Sequence, residues 1–251
     1  MTDKIAAFRA LHQTTTPLLL GNVWDAPSAS ILEKLGFKAL GTSSAAVANM
    51  LGHQDGEQMP YTEYRAIIRR ITAVTDLPVS VDMEAGYTRD PLQVAKHIQE
   101  LAALGIVGIN LEDSLVVENS RQLVDPDDFS RKLAIIRKKL QQYSVDVFIN
   151  LRMDTFLLNH PQALAESKRR VDLYSDFIDG VFLPCIAKEK DIEAIVSHTR
   201  LPLNVMKVSG LPSLKALEGL GVKRISTGNY FHDFMQQALA EEVRSWLDQG
   251  E

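Results

Sequence analysis

Short, almost uninterrupted apolar runs recur along the chain, separated by longer stretches in which apolar residues return every three or four positions. Runs of the first kind predict strands covered on both faces, as in a parallel sheet. Stretches of the second kind predict amphipathic helices. The runs fall at 17–24, 37–43, 78–84, 106–112, 145–152, 179–185, 201–207 and 222–228, eight in all. The helical stretches fall at about 26–35, 61–75, 90–104, 126–143, 161–176, 188–199, 213–220 and 232–248, after an amphipathic N-terminal helix in "MTDKIAAFRALHQ". Three joints share one signature, a helix ending in Leu-Gly with a strand directly behind it: "KLGFKALGTSS", "ALGIVGINLEDS" and "GLGVKRISTGN". Glycine just past a helix end enters the left-handed conformation at little cost, so these are αβ turns. Asp25-Ala-Pro27, Asp90-Pro91 and Asp125-Pro126 supply caps and first-turn prolines for three helices.

Eight βα units in 251 residues predict a single (β/α)₈ TIM barrel spanning 1–251. The competing doubly wound sheet wants a glycine-rich phosphate turn after an early strand, and "NVWDAPSA" is no such turn. The longest stretches without periodicity, about 45–60 and 113–124, read as loops. Loops of that length in a compact domain usually serve function.

Composition narrows the function classes. A hydrophobic fraction of 45% with 24% charged residues is ordinary for a soluble globular chain. The net charge is −5, and the basic runs at 137–139 and 168–170 lie on helix faces without interleaved aromatics, which argues against nucleic acid as a partner. No apolar run is long enough to cross a bilayer, so no membrane partner is expected. The charged N-terminal helix is no signal peptide, and a cytoplasmic location is expected. The single cysteine, Cys185, precludes an internal disulfide framework and a cysteine-built metal site.

In a barrel the chemistry sits where the strands end. Those ends read "GTSSA", "DMEAGY", "NLEDS", "NLRMD", "PC", "NVMK" and "STGN" for the second to the eighth strand. Asp82 and Glu84, two positions apart, would share one face of a strand. Glu112 and Asp113 stand at the same level on the next strand, and Arg152 on the one after. Asp113, out of phase with Glu112, should face away from the barrel interior and pair with a helix. Like charges gathered at one level need compensation. Either basic neighbours such as Arg152, Lys207 or Arg89 supply it, or a hard cation does. Oxygen ligands without clustered His or Cys favour Mg²⁺ or Mn²⁺ over Zn²⁺. Mg²⁺ keeps several waters, so one carboxylate, taken as Asp82, would bind directly while others hold waters.

Over nearly its whole length the chain resembles the phosphoenolpyruvate mutase/isocitrate lyase superfamily. The matching pieces are "GNVWDAPSASILEKLGFKALGTSSAAVA", "LGHQDGE", "DLPVSVDMEAGY", "GIVGINLEDS" and "INLRMDTF", in that order and on successive strands. The resemblance implies a Mg²⁺-dependent barrel enzyme acting on small 2-oxo or 2-hydroxy acids, breaking or forming a C–C or P–C bond through a pyruvate-type enolate. It assigns Asp82, Glu84 and Glu112 to the metal site. It assigns Ser43, Ser44 and Ala45 to the substrate carboxylate and enolate oxygen, Asp55 to a mobile gating loop, and Arg152 to the departing or migrating group. Asn119 and Ser120 match the end of the loop after the fourth strand. The resemblance also implies a homodimer or homotetramer that exchanges its last barrel helix. In this chain that helix carries Phe231, Phe234, Met235, Leu239, Val243 and Trp246 at helical spacing, a stripe that could pack on its own barrel or on a partner's.

Two departures bear on the reaction. Isocitrate and methylisocitrate lyases carry K-[KR]-C-G-H after the fourth strand, where this chain has "EDSLVVENSRQLVD" without Cys or His. Phosphoenolpyruvate mutases carry E-D-K, and here Ser114 stands where that lysine belongs. The branch that remains resembles oxaloacetate decarboxylases and 2-oxo acid lyases or hydrolases. Mg²⁺-assisted C–C cleavage of an oxaloacetate-like 2-oxo diacid is therefore the leading expectation. Hydrolysis or rearrangement of a phosphonopyruvate-type P–C bond comes second, and a barrel that binds a metabolite without turning it over third.

Overall fold

The computed structural model describes residues 2–118 and 120–248. The eight apolar runs become eight parallel strands: β1 (Leu18–Val23), β2 (Leu40–Thr42), β3 (Val79–Asp82), β4 (Gly108–Glu112), β7 (Phe148–Arg152), β8 (Gly180–Phe182), β9 (Leu203–Met206) and β10 (Arg224–Ser226). They close in the order β1-β2-β3-β4-β7-β8-β9-β10, the last pairing with the first. The fold is the expected (β/α)₈ barrel. Helices cover its outside: α2 (Ala26–Lys34), α4 (Tyr61–Thr72), α5 (Pro91–Ala103), α6 (Pro126–Gln142), α7 (Ala163–Tyr174), α8 (Glu189–Val196) and α9 (Leu214–Gly219). Asp25, Asp90 and Asp125 each cap a helix by accepting from first-turn amides. At the three Leu-Gly joints, Gly36, Gly105 and Gly221 take φ of 88°, 89° and 85°, as the turn requires.

Two stretches read as loops hold regular structure. Ser43 caps a short helix, α3 (Ser44–Met50), whose Ala46, Val47 and Ala48 are buried. Beyond β4 the chain forms an antiparallel hairpin, β5 (Ser114–Val117) and β6 (Ser120–Leu123), pairing Ser114 with Leu123 and Val116 with Arg121. The third strand is shorter than its apolar run implies. β3 stops at Asp82, and Glu84 lies in a tight turn with φ 49°, followed by Gly86 at 108° and Tyr87 at 60°.

The N-terminal helix, α1 (Thr2–Leu11), stoppers the barrel from below. Phe8 is wholly buried among Leu18, Leu20, Val107 and Phe148. A Cβ on Gly108 would come 2.9 Å from the Phe8 ring, so glycine there makes room for the plug. The last helix, α10 (Tyr230–Asp248), differs from the rest: every side chain from Asp233 to Asp248 is exposed, including Phe234, Leu239 and Trp246. No described helix is long and apolar enough to cross a membrane.

Candidate active site

At the C-terminal end of the barrel a cavity of about 230 Å³ is lined by Ser43, Ser44, Ala45, Asp55, Asp82 and Arg152, all expected site residues, and also by Arg121. Larger clefts of about 940 Å³ run along α6 and beside α7, but the expected carboxylates do not line them. Strand geometry assembles the small cavity. β2 delivers Ser43 and the start of α3, β3 delivers Asp82, and β7 delivers Arg152 opposite Glu112, its register partner on β4.

Asp82 is held on one side only. Its Oδ2 accepts from Ser44 Oγ at 2.8 Å, its backbone N–H donates to Thr42 Oγ1, and its carbonyl accepts from Tyr64. Its Oδ1 is buried without any partner among the described residues. A buried carboxylate oxygen left unpaired is costly, and such an atom in a cavity calls for a ligand. Glu84 and Glu112, by contrast, are engaged. Glu84 accepts the Glu57 N–H at 2.7 Å and the Tyr87 hydroxyl at 3.2 Å. Burial, then repulsion from Asp55, Glu112 and Asp82, pushes its carboxyl up to about 9. Glu112 is bound by Arg121, and its Oε2 lies 2.9 Å from Arg152 Nη1. Burial pushes it up to about 7 against the pull of Arg152.

Among the described residues no three His, Cys, Asp or Glu side chains stand close enough to share an ion. A cradle of three direct carboxylate ligands is thus not what this arrangement offers. It offers one carboxylate oxygen, Asp82 Oδ1, with acidic neighbours further out. A hard cation that keeps most of its waters fits that donor set.

The expected oxyanion donors narrow as well. The Ser43 N–H is taken by Val23 O, and the Ser43 hydroxyl caps α3. Ser44 and Ala45, in the first turn of α3, keep amides without an intrahelical acceptor. Asp55 is half exposed and lies 3.6 Å from Arg121. Its loop is fastened down by Glu57, which bonds Glu84, Tyr87 and Arg89. Arg152 donates to Asp154 from Nε at 2.6 Å and from Nη2 at 3.1 Å. Burial disfavours its charge, but Glu112, Asp154 and Asp82 outweigh that and raise its pKa. Asn119 lies outside the described residues, and Ser120 opens β6 with an exposed side chain.

Other polar side chains near the strand ends sit apart. Asp113 faces outward, buried against Arg170 of α7 at 2.8 Å. His53 meets Glu63. Cys185 lines the cleft beside α7, and burial pushes its thiol up, against a nucleophilic role. Arg121 lies on no strand end, and Asp154, the last residue of "NLRMD", carried no role in the sequence reading. Beneath them Arg224 is fully buried, its guanidinium donating, among the described residues, to Asn110 Oδ1 at 3.3 Å. Burial lowers its pKa to about 9, against the pull of Asp82.

Asp82, Arg121, Arg152 and the first turn of α3 thus line one cavity at the C-terminal end of a parallel barrel, the end where such barrels carry their active sites. The family model for phosphoenolpyruvate phosphomutase matches residues 8–247, and the chain belongs to that family. An uncharacterised protein of Mycobacterium tuberculosis (strain ATCC 25618 / H37Rv) is 32% identical over 96% of this chain and 89% of its own length. The oxaloacetate decarboxylase of Bradyrhizobium diazoefficiens is 30% identical over 73% of this chain and 64% of its own. Among solved structures, a Burkholderia cenocepacia J2315 protein provisionally named a phosphonomutase superposes with a TM-score of 0.91. It is 38% identical and is covered over 99% of its length, for 96% of this chain.

Proposed function

We propose that the protein is a Mg²⁺-dependent lyase that cleaves a C–C bond of a small 2-oxo diacid through a pyruvate-type enolate. The observation that carries this reading is Asp82 Oδ1, buried and unpartnered among the described residues, on an aspartate that lines a cavity large enough for such a substrate. Mg²⁺ or Mn²⁺ bound there would act as a Lewis acid on the 2-oxo group. Asp82 would hold the ion, with Glu84 and Glu112 placed to orient its waters. The Ser44 and Ala45 amides would bind the substrate carboxylate and the oxygen that gains charge. Arg152 would grip the group that departs, in the bidentate manner of a guanidinium on an oxyanion. Asp55, on the loop above, would complete the enclosure that keeps water from the enolate. Decarboxylation asks for no acid/base cysteine or histidine after β4, and this chain has neither there. The oxaloacetate decarboxylase among its relatives supports the same choice.

Cleavage or rearrangement of a P–C bond is the second reading, favoured by the likeness to the protein provisionally named a phosphonomutase. A barrel that only binds a metabolite is the third. We also propose that the exposed apolar stripe of α10 is covered by a second copy, in a homodimer or homotetramer.

The test is a substrate panel with Mg²⁺: oxaloacetate, its alkylated homologues, dimethylmalate and phosphonopyruvate, with release of pyruvate-type products followed. Turnover of a diacid supports C–C chemistry. Product from phosphonopyruvate alone overturns it, and no product from any member favours the binding barrel.

A further inference from the structure

The hairpin brings to the cavity a cation that no barrel strand carries. Arg121 sits on β6, and its side chain is only 13% exposed. All the hydrogen bonds it donates leave from Nη1: to Glu112, to Ser114 Oγ at 3.0 Å and to Asp154 Oδ2 at 3.4 Å. Its Nη2 lies 3.6 Å from Asp55 Oδ2, beyond hydrogen-bond range. Among the described residues, Nε and Nη2 of this five-donor group have no acceptor. Arg152 reaches the same two carboxylates from β7. Two guanidiniums thus converge on one cavity, Arg152 with its donors largely committed to Asp154 and Arg121 with an edge to spare. Packing fixes the second one in place. A Cβ on Gly56, next to Asp55, would come 2.7 Å from Val116 Cγ2, so the hairpin lies directly against the Asp55 loop. Ser114, where the resemblance led one to look for a lysine, instead accepts from this arginine seven positions along the chain.

We propose that Arg121 is a specificity-determining residue. With Arg152 it forms the receptor for the second acidic group of the substrate, the one remote from the metal end, and it sets the preference for substrates that carry such a group. This rests on the reading of Asp82 as the site where the 2-oxo acid end binds. A carboxylate, sulfonate or phosphonate entering the cavity would take the free Nε and Nη2 edge of Arg121. The cation missing at position 114 is thereby restored from the facing strand.

The test is titration calorimetry with Mg²⁺, using oxalate as a probe of the metal end and 3-sulfopyruvate as a probe that adds a fixed distal anion. Wild type, Arg121→Leu and Arg121→Lys are compared. Loss of a charge-assisted hydrogen-bonding partner should lower the affinity of Arg121→Leu for sulfopyruvate about 10- to 100-fold relative to its affinity for oxalate. Arg121→Lys should recover part of that ratio. An unchanged ratio in Arg121→Leu overturns the proposal, and so does an equal loss for both probes, which would make Arg121 a brace for Glu112 and Asp154. If wild-type protein fails to bind oxalate with Mg²⁺, the metal-end reading itself falls, and the proposal with it.

Discussion

At the N-terminal end of the barrel, Asp179 receives Arg9 at 2.6 Å, Arg137, and the Ile149 N–H at 2.8 Å. Burial opposes its charge, yet these donors win and its carboxyl is held below the usual carboxylate range. At the C-terminal end, Glu84 has one amide and one hydroxyl and is held far above that range, while Asp82 keeps an oxygen with no partner among the described residues. Both ends bury carboxylates. The lower end satisfies them with fixed protein donors and so gains stability. The upper end leaves them under-satisfied, which costs stability and creates affinity for a cation or a ligand's donors.

Changing an acid to its amide should therefore act with opposite sign at the two ends. Asp179→Asn is expected to cost about 3 kcal/mol, because it leaves Arg9 and Arg137 facing a neutral group. Urea unfolding at pH 7 measures this, and a change below the error of the fit would break the contrast.

A smaller effect should appear on acidification, again from the lower end. His12 stacks on Phe148 with ring centroids 4.3 Å apart. Burial first, then the charge of Arg224, lowers its pKa to about 3. An unfolded histidine takes up its proton near pH 6.5, so between about 6.5 and 3 the unfolded chain binds more protons than the fold, and stability falls as pH falls. About 1 kcal/mol should go over the first unit below 6.5, and His12→Phe should flatten that part of the curve. An identical curve for the variant would remove His12 from the explanation.

The upper end should give a change of reversed sign. Metal-free Glu84→Gln should be more stable than wild type at pH 8, and by a margin that widens as pH rises from 4.5 toward 9. The folded carboxyl keeps its proton up to about 9 while the unfolded one releases it near 4.5, so wild-type stability falls as pH rises through that window. The amide escapes this, and its advantage should shrink toward pH 4.5. Destabilisation at pH 8 would show that Glu84 is not held under-satisfied.

The barrel was legible in the chain because each strand is a buried apolar run, and because Leu35-Gly36, Leu104-Gly105 and Leu220-Gly221 mark helix ends. α3 was not, since seven residues rich in alanine are too short to show a helical period. The hairpin hid for a similar reason: its strands are four residues long and mostly half or fully exposed, and only Leu115-Val116-Val117 is apolar. Asp82 and Arg152 could be read from strand ends alone. Glu84 was expected on the strand face shared with Asp82, but it reaches the site through a left-handed turn, which alternation along a strand does not encode. Arg121 and Asp154 depend on tertiary closure. Arg121 comes into place only when β6 folds back on β5, and Asp154 is buried two residues beyond the end of β7.

The most direct measurement is the thermal stability of wild type and Asp82→Asn with Mg²⁺, with oxalate, and with both together. If Asp82 Oδ1 holds the ion that in turn holds the substrate end, wild type should gain stability from the pair well beyond the sum of the two alone. Asp82→Asn should gain nothing beyond that sum. A joint gain that survives in Asp82→Asn, or oxalate stabilisation of equal size without Mg²⁺, would contradict the assignment of this site to metal–enolate chemistry.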